Sequence, residues 1–172
     1  FQLALSVAEG GKRVVLVDAD LRKSVLKGRY KTNASRYGLS HYLSGQASIQ
    51  DITCRTNIEN FFVIFSGPVP PNPSELLGND AFRLLLEYLR NEYDYVIVDT
   101  PPLGSVIDGA VAAQYCDGTV VVIESGAISY KFAQKVKEQL EKVDCRILGV
   151  ILNKVNMSGK GYYGAYYGKY YG

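Results

Sequence analysis

The sequence predicts an α/β fold in which a parallel sheet carries helices on both faces. Short, almost uniformly apolar runs rich in β-branched residues alternate along the chain with segments whose apolar residues follow a helical period. Such runs are typical of strands buried on both faces, and strands that alternate with helices build parallel sheets. The predicted strands are residues 13–18, 61–65, 95–99, 119–123 and 147–152.

Three segments outside these strands follow the helical period. The chain opens with FQLALSVAEGGK, which is predicted to be helical up to Gly10 and Gly11. A second helix is predicted behind an Asp80 cap, and a third from about Ser129 to Val143. The expected buried face of the second helix consists of Ala81, Leu84, Leu85, Tyr88 and Leu89, and that of the third of Phe132, Val136, Leu140 and Val143.

The 172 residues are enough for one well-buried domain, which we expect to span residues 1–157. Residues 158–172 are expected to form a flexible tail. The last 11 residues, YYGAYYGKYYG, contain six of the 14 tyrosines, a glycine at every fourth position and no large aliphatic side chain. Glycines at that spacing weaken a helix, and the tyrosines have no aliphatic neighbours with which to form a core. By itself, such a segment is typical of a low-complexity chain end.

The composition argues against several classes of protein. With a net charge of +2 and no long basic run, no nucleic-acid partner is expected. Cys54, Cys116 and Cys145 are odd in number and far apart, which favours free thiols over a disulfide framework or a zinc site. The longest aliphatic runs reach only about a third of the ~20 residues of a membrane-spanning helix. The chain begins at Phe1 without an initiating Met or a signal peptide, so we expect an N-terminally incomplete fragment.

Three aspartates follow two of the predicted strands. Asp18 ends the first strand, Asp20 lies two residues beyond it, and Asp99 ends the strand at 95–99. In open parallel sheets, ligands bind at the carboxyl ends of the strands. A carboxylate at the end of an apolar strand is costly unless a cation lies nearby, and Mg²⁺ with nucleotide phosphates is the usual cation at this edge. The alternative is that each aspartate only caps a turn or the next helix.

Two of these segments resemble nucleotide-binding motifs. VLVDADLRKS is similar to the Walker A-prime motif, and VIVDTPP to the Walker B motif, of the bacterial tyrosine kinases (BY-kinases) that control capsule and exopolysaccharide synthesis. The resemblance covers nearly the whole chain and includes GLSHYLSG, SGPVPPNPSELL, DGTVVVIESGAIS, ILGVILNKV and the terminal tyrosine cluster. It implies a P-loop NTPase-like sheet, with ATP and Mg²⁺ as cofactors.

The phosphate-binding loop of this family is absent from the 172 residues. In the family, that Gly-rich loop, with its Lys and the following Ser or Thr, binds the β- and γ-phosphates and Mg²⁺. The loop and the strand before it are expected just ahead of the first helix. By the resemblance, the chain therefore lacks half of the nucleotide site, and the fragment alone is expected to be inactive.

The resemblance also implies roles for individual residues. Asp99 corresponds to the Walker B carboxylate that holds Mg²⁺ through water, and Asp20 to the Walker A-prime carboxylate on the other side of the metal. Asp18 is then the candidate base for the phenol of the incoming tyrosine, although the roles of Asp18 and Asp20 could be exchanged. Asn153 is a candidate for binding adenine by paired hydrogen bonds, and a purely structural role is the alternative.

Three other polar residues are left outside the catalytic set. Arg22 and Lys23 could face a phosphate or a neighbouring subunit, but a solvated pair of charges after a strand is equally compatible with the sequence. His41, the only histidine of the chain, lies in GLSHYLSG, which is expected to be a surface helix or turn. We expect no catalytic role for it.

The resemblance implies an ATP-dependent protein-tyrosine kinase that autophosphorylates its tyrosine cluster and regulates capsular or exopolysaccharide synthesis and export. The implied partners are a membrane-spanning activator (a polysaccharide co-polymerase), further copies of the chain in a ring-like homo-oligomer, and other protein tyrosines. Such a kinase would be cytoplasmic and held at the inner face of the membrane by the activator. The alternatives are a partitioning-type switch ATPase of the same fold, which needs no tyrosine tail, and a non-catalytic phospho-acceptor scaffold. The acceptor residues would be Tyr162, Tyr163, Tyr166, Tyr167, Tyr170 and Tyr171.

Overall fold

The computed structural model describes residues 1–29, 36–104 and 107–155, so the predicted tail and its tyrosines lie outside the described residues. Eight helices and six strands are formed within these ranges. The helices are α1 (Gln2–Glu9), α2 (Leu26–Arg29), α3 (Leu39–Leu43), α4 (Ile49–Ile52), α5 (Pro73–Leu77), α6 (Asp80–Glu92), α7 (Asp108–Ala113) and α8 (Tyr130–Lys142). The strands are β1 (Val14–Asp18), β2 (Thr53–Arg55), β3 (Phe61–Ile64), β4 (Tyr95–Asp99), β5 (Thr119–Glu124) and β6 (Ile147–Asn153).

The strands form two sheets. The first has the order β2-β3-β1-β4, in which β1 runs parallel to both β3 and β4, and the second consists of the parallel pair β5 and β6. All five predicted strands are therefore present and pair in parallel. The sixth strand, β2, pairs antiparallel with β3 and was not predicted. It contains three residues, TCR, which are too few to show an apolar run or an alternation.

The core is built around β1, whose five residues are all buried. Because successive side chains of a strand point to opposite faces, the valines and the leucine of β1 contribute to two different clusters. Val14 and Leu16 pack in a cluster with Ala4 and Ala8 of α1. Val15 and Val17, which alternate with them along the strand, pack with residues of α6 and α3 in the other cluster. Burial of each such side chain stabilises the fold by about 1.5–3 kcal/mol.

The buried face of α6 differs from the predicted face by one position. Its fully or nearly fully buried residues are Phe82, Leu85, Leu86 and Leu89. Leu84, which was predicted to be buried, is 50% exposed, and Tyr88 is also exposed. The cap differs as well, since the side chain of Asn79 accepts a hydrogen bond from the Phe82 N–H at 3.1 Å. With Asn79 as N-cap, Asp80 becomes the first helical residue.

Helix α8 agrees more closely with its prediction. Ser129 is the N-cap and accepts from the Phe132 N–H at 3.3 Å, and Val136 and Leu140 are buried. Phe132 is the exception, because it lies partly exposed at the start of the helix. Helix α1 ends before Gly10, as predicted. Cys116 and Cys145 are free thiols, also as predicted.

Among the described residues, helix α8 covers one face of the second sheet and the other face is exposed, which corrects the prediction that 119–123 is buried on both faces. Val121 and Ile147 pack against Val136 and Leu140 of α8, whereas Val122 is 62% exposed. Among the described strands, β4 pairs only with β1 and β5 only with β6, so each keeps one unpaired edge. Across the described residues, no helix combines the length and the apolar character needed to span a membrane.

Candidate active site

The three aspartates predicted from the sequence meet at the carboxyl edge of the first sheet. β1 and β4 are neighbours in parallel register, and Asp18 is paired with Asp99 across the two strands. The backbone continues this pairing beyond the strands, since the Ala19 N–H donates to the Asp99 carbonyl at 2.8 Å. Asp20 follows one residue later. The fold therefore places two carboxylates side by side and a third in the loop next to them.

Asp18 is a buried carboxylate, and the described residues donate hydrogen bonds to one of its two oxygens. Its side chain is 1% exposed. Oδ2 accepts a short hydrogen bond from the Ser24 hydroxyl and a longer one, 3.4 Å, from the Ser66 N–H. Oδ1 is buried and accepts no hydrogen bond from the described residues. Burial raises the pKa of Asp18; the Ser24 and Ser66 hydrogen bonds oppose this rise, and the charge of Asp99 adds to it.

Asp99 and Asp20 lie closer to solvent. Burial of the Asp99 carboxyl raises its pKa, and the charge of Asp20 adds to the rise. Nevertheless Asp99 is an exposed residue and Asp20 a partly exposed one. Oδ1 of Asp20 accepts from the N–H groups of Arg22 and Lys23, at 3.1 and 3.0 Å, and so its carboxylate is oriented by the turn that follows.

These residues fit a magnesium ion that is held jointly with a nucleotide. Within the described ranges, no three His, Cys, Asp or Glu side chains lie close enough together to bind a metal by themselves. Mg²⁺ is usually held by one or two carboxylates together with phosphate oxygens and water rather than by a protein cage. The unpartnered Oδ1 of Asp18 is consistent with a further donor or cation at this edge, because a buried carboxylate oxygen without a partner is costly.

The short helix α3 supports the loop of Ser66, whose N–H group donates to Asp18. The N–H groups of Leu39 and Ser40 donate to the carbonyls of Phe65 and Ser66 at 2.7 and 2.9 Å. His41 takes part in this structure, since its Nδ1 accepts from the Gly38 N–H at 3.1 Å. This hydrogen bond gives His41 a structural role at the start of α3. The hydrogen bonds of Leu39 and Ser40 position the loop whose Ser66 N–H reaches Asp18.

Asn153 lies apart from the aspartates, at the carboxyl end of β6 in the second sheet. It is paired in register with Glu124, and its Oδ1 accepts from the Lys154 N–H at 2.9 Å. Lys154 in turn forms a 2.8 Å ion pair with Glu124. The contacts of Asn153 are therefore with the ends of β5 and β6.

Arg22, for which the sequence left a phosphate, a neighbouring subunit or solvent as alternatives, has a protein partner in the structure. Its guanidinium pairs with Asp108, a fully buried residue at the start of α7. The sequence reasoning missed Asp108 as well as Ser24 and Ser66. An aspartate at the start of a helix is typical of a capping residue, and single serines in loops are too common to attract notice.

Comparison with known proteins relates this site to a family. The AAA domain family matches residues 1–153. Tyrosine-protein kinase CpsD of Streptococcus agalactiae is 47% identical over 166 residues, which cover 95% of this chain and 72% of that protein. Tyrosine-protein kinase CpsD of Streptococcus pneumoniae is 43% identical over 169 residues, covering 95% of this chain and 74% of that protein.

Solved structures agree with these relatives. The kinase domain of Escherichia coli tyrosine kinase ETK superimposes with a TM-score of 0.87 and 36% identity, over 92% of this chain and 62% of that chain. The septum site-determining protein MinD of Pyrococcus horikoshii, complexed with Mg-ADP, gives a TM-score of 0.72 and 25% identity over 91% of this chain and 63% of that chain. The P-loop NTPase-like fold is confirmed, and identity to the kinases is higher than to the switch ATPase. The chain belongs to the family of bacterial tyrosine-protein kinases.

Proposed function

We propose that the chain is the catalytic region of an ATP-dependent protein-tyrosine kinase that regulates capsular or exopolysaccharide synthesis and export. The observation that carries the proposal is the register of β1 and β4, which sets Asp18 beside Asp99 with Asp20 in the adjoining loop. Phosphoryl transfer asks a protein mainly for positioning and for neutralisation of charge. An edge with three carboxylates, in a chain of this family, supplies the acidic groups of such a site.

Asp20 and Asp99 are the residues that we assign to Mg²⁺. Both are accessible from solvent, whereas Asp18 is buried. When bound with ATP, Mg²⁺ would neutralise the charge on the transferred phosphoryl group. The turn at Arg22 and Lys23 holds the Asp20 carboxylate in a fixed orientation. Asp99 is fixed by its place at the end of β4, whose backbone pairs with β1.

Asp18 is the residue that we assign as base for the phenol of the substrate tyrosine. A phenol has a pKa of about 10, so a carboxylate that accepts its proton is more effective when its own pKa is raised. Burial raises the pKa of Asp18. Its Oδ1 also accepts no hydrogen bond from the described residues and so keeps its capacity to accept one.

The remaining part of the nucleotide site is proposed to come from a segment outside residues 1–172. The 172 residues contain no Gly-Lys-Ser or Gly-Lys-Thr sequence. The unpaired edges of β4 and β5 are suitable places for a further strand. A phosphate-binding loop after such a strand would lie at the same edge as the aspartates. Asn153, at the end of β6, is proposed to bind the adenine, and the chain without the loop is proposed to be inactive.

The tyrosine cluster is the proposed substrate of the site. Its residues lie outside the described part of the chain, and six tyrosines between 162 and 171 make it the densest group of acceptors in the sequence. A tail of this length can reach a neighbouring copy, and we propose phosphorylation between copies in a ring-like assembly. A membrane-spanning activator is the proposed partner that holds the kinase at the inner face of the membrane.

The experiment is to incubate the full-length kinase with ATP and Mg²⁺ and to probe for phosphotyrosine. The proposed function predicts phosphotyrosine that depends on both cofactors and is lost when the tail tyrosines become phenylalanine. Hydrolysis of ATP without phosphotyrosine would instead identify a switch ATPase. Phosphotyrosine that forms only after another kinase is added would identify a phospho-acceptor scaffold.

A further inference from the structure

Arg22 and Asp108 form a bidentate ion pair. Nε and Nη2 of Arg22 donate to the two carboxylate oxygens of Asp108 at 2.7 and 3.0 Å. The Ser74 hydroxyl donates to Oδ1 of Asp108 at 2.6 Å and accepts from Nη2 of Arg22 at 3.1 Å. The Asp108 side chain has no exposed surface, whereas 38% of the Arg22 side chain is exposed. The partly exposed guanidinium of Arg22 therefore lies between the buried Asp108 carboxylate and solvent.

This ion pair joins the segments that follow three adjacent strands. Arg22 lies in the loop after β1, Ser74 lies in α5 after β3, and Asp108 begins α7 after β4. In the first sheet, β1 lies between β3 and β4. The pair, together with the Ser74 hydroxyl, consequently ties together three connections that all leave the carboxyl edge of the sheet, where the aspartates lie.

The backbone of Arg22 is also one of the two donors that orient Asp20. Its N–H group bonds to Oδ1 of Asp20 at 3.1 Å. The same residue thus orients the Asp20 carboxylate through its backbone and is fixed to α7 through its side chain. A change that releases the side chain frees the turn that holds Asp20.

The chemistry of the pair makes it sensitive to small changes. The hydrogen bond from Arg22 holds the pKa of Asp108 below its usual range in spite of burial, so the carboxylate stays charged. A lysine has one point charge and cannot reproduce the two parallel hydrogen bonds of a guanidinium. Removal of the cation altogether would leave a buried charge without its partner, which is strongly destabilising.

We propose that Arg22 and Asp108 are positioning residues for phosphoryl transfer, because their ion pair fixes the loop that presents Asp20 to Mg²⁺. This inference rests on the proposed function. Neither residue touches the reacting atoms; both act through Asp20. Residues that orient a metal ligand typically change metal affinity or activity by about 10- to 100-fold when they are replaced.

The test uses the full-length kinase with the variants Arg22→Lys, Asp108→Asn and the double variant. The rate of phosphotyrosine formation is measured against Mg²⁺ concentration at saturating ATP, and thermal unfolding is followed on the same samples. Arg83→Gln is the matched control, since Arg83 also pairs with two carboxylates, Asp80 and Glu87, but on the surface of α6.

The single variants are expected to need more Mg²⁺ for half-maximal rate and to reach a lower maximal rate, with a combined effect of about 10- to 100-fold. The double variant should be no worse than the more impaired single one, because both changes break one interaction. Arg83→Gln should match the wild type. A folded Arg22→Lys protein with the Mg²⁺ dependence and rate of the wild type would overturn the proposal, as would effects that simply multiply.

Two cases need a separate decision: a variant that does not fold, and a wild type that forms no phosphotyrosine. If Asp108→Asn does not fold, Arg22→Lys decides, because it keeps a cation opposite the buried carboxylate. If the wild type forms no phosphotyrosine, the proposed function fails, and Mg²⁺-dependent binding of a fluorescent ATP analogue to the same variants still tests the positioning of Asp20. Equal Mg²⁺ dependence of that binding in wild type and Arg22→Lys would then reject the inference.

Discussion

The strands β1 and β5 have similar sequences, VVLVD and TVVVIE, but different surroundings. Every residue of β1 is buried, whereas the residues of β5 alternate between partly buried and exposed. Among the described strands, β1 has a neighbour on each side and β5 has one; β1 packs against α1 and α6, and β5 against α8. An apolar run therefore indicates a strand, but the neighbouring elements decide how many of its faces are covered.

The acidic residues that end these two strands differ in the same way. Asp18, at the end of β1, is buried, and its Oδ1 accepts no hydrogen bond from the part of the chain that the structure describes. Glu124, at the end of β5, is exposed and forms an ion pair with Lys154. An exposed pair of this kind contributes only about 0–1 kcal/mol, whereas ionisation of a buried carboxylate lowers stability. The first sheet thus retains an unfavourable carboxylate where the chemistry is proposed to occur, and the second does not.

The largest expected effect is on kinase activity, and it compares an acidic residue at the end of β4 with one at the end of β5. Asp99→Asn in the full-length kinase should lower the rate of phosphotyrosine formation by about 100-fold or more, since it removes a negative charge proposed to hold the Mg²⁺ that neutralises the transferred phosphoryl group. Glu124→Gln, at the end of β5, should leave the rate close to that of the wild type. Both should unfold at temperatures near the wild-type value. Similar rates in the two variants would remove the distinction between the sheets.

The next effect is on stability and compares two leucines. Leu16 of β1 is 1% exposed and Leu148 of β6 is 58% exposed. Leu16→Ala is expected to lower the free energy of unfolding by about 2–5 kcal/mol because it leaves a cavity. Leu148→Ala should change the same quantity by less than about 0.5 kcal/mol. Denaturant unfolding measures both, and a large loss for Leu148→Ala would mean that the outer face of the second sheet is covered in the protein.

The smallest effect concerns the start of α6. Asn79→Ala removes the side-chain oxygen that accepts from the Phe82 N–H and should lower the free energy of unfolding by about 1 kcal/mol. Asp80→Ala is expected to change it by less than about 0.5 kcal/mol, because Asp80 adds a charge to the first turn and an exposed ion pair with Arg83. Thermal unfolding of the two variants distinguishes them, and the reverse order would restore Asp80 as the cap.

Much of the fold could be predicted from local patterns. The five parallel strands, the end of α1 and the start of α8 near Ser129 all follow from runs and residues that are adjacent in the sequence. The failures have a common physical cause, which is packing between distant segments. The buried face of α6 is set by the sheet against which it packs, and β2 exists because its three residues lie beside β3. Neither contact can be seen in a local pattern.

The candidate site was predictable to a similar degree. The meeting of Asp18 and Asp99 follows from two strands that end in aspartate in a parallel sheet. The partners that hold these residues could not be predicted, because they come from other loops: Ser66 is 48 residues from Asp18, and Asp108 is 86 residues from Arg22. A charged side chain at a strand end indicates a site, whereas the groups that orient it appear only when the chain has folded.

The most direct measurement is how the free energy of unfolding changes with pH when Asp18 is present and when it is replaced. Its pKa is raised from an ordinary value of 3.8, chiefly by burial. Between the unfolded pKa and the raised native pKa, the native state binds more protons than the unfolded state, so ionisation of Asp18 lowers stability as the pH rises through that window. The full-length kinase and its Asp18→Asn variant are compared from about pH 4 to pH 8, without nucleotide or Mg²⁺, for free energy of unfolding.

The rate of phosphotyrosine formation is measured on the same preparations. If Asp18 is a buried base kept for catalysis, the Asn variant should lose about 100-fold or more of the rate. Its stability relative to the wild type should increase as the pH rises through the window, because it has no carboxylate to ionise. Parallel stability profiles for the two proteins, or a variant that keeps the wild-type rate, would contradict this role for Asp18.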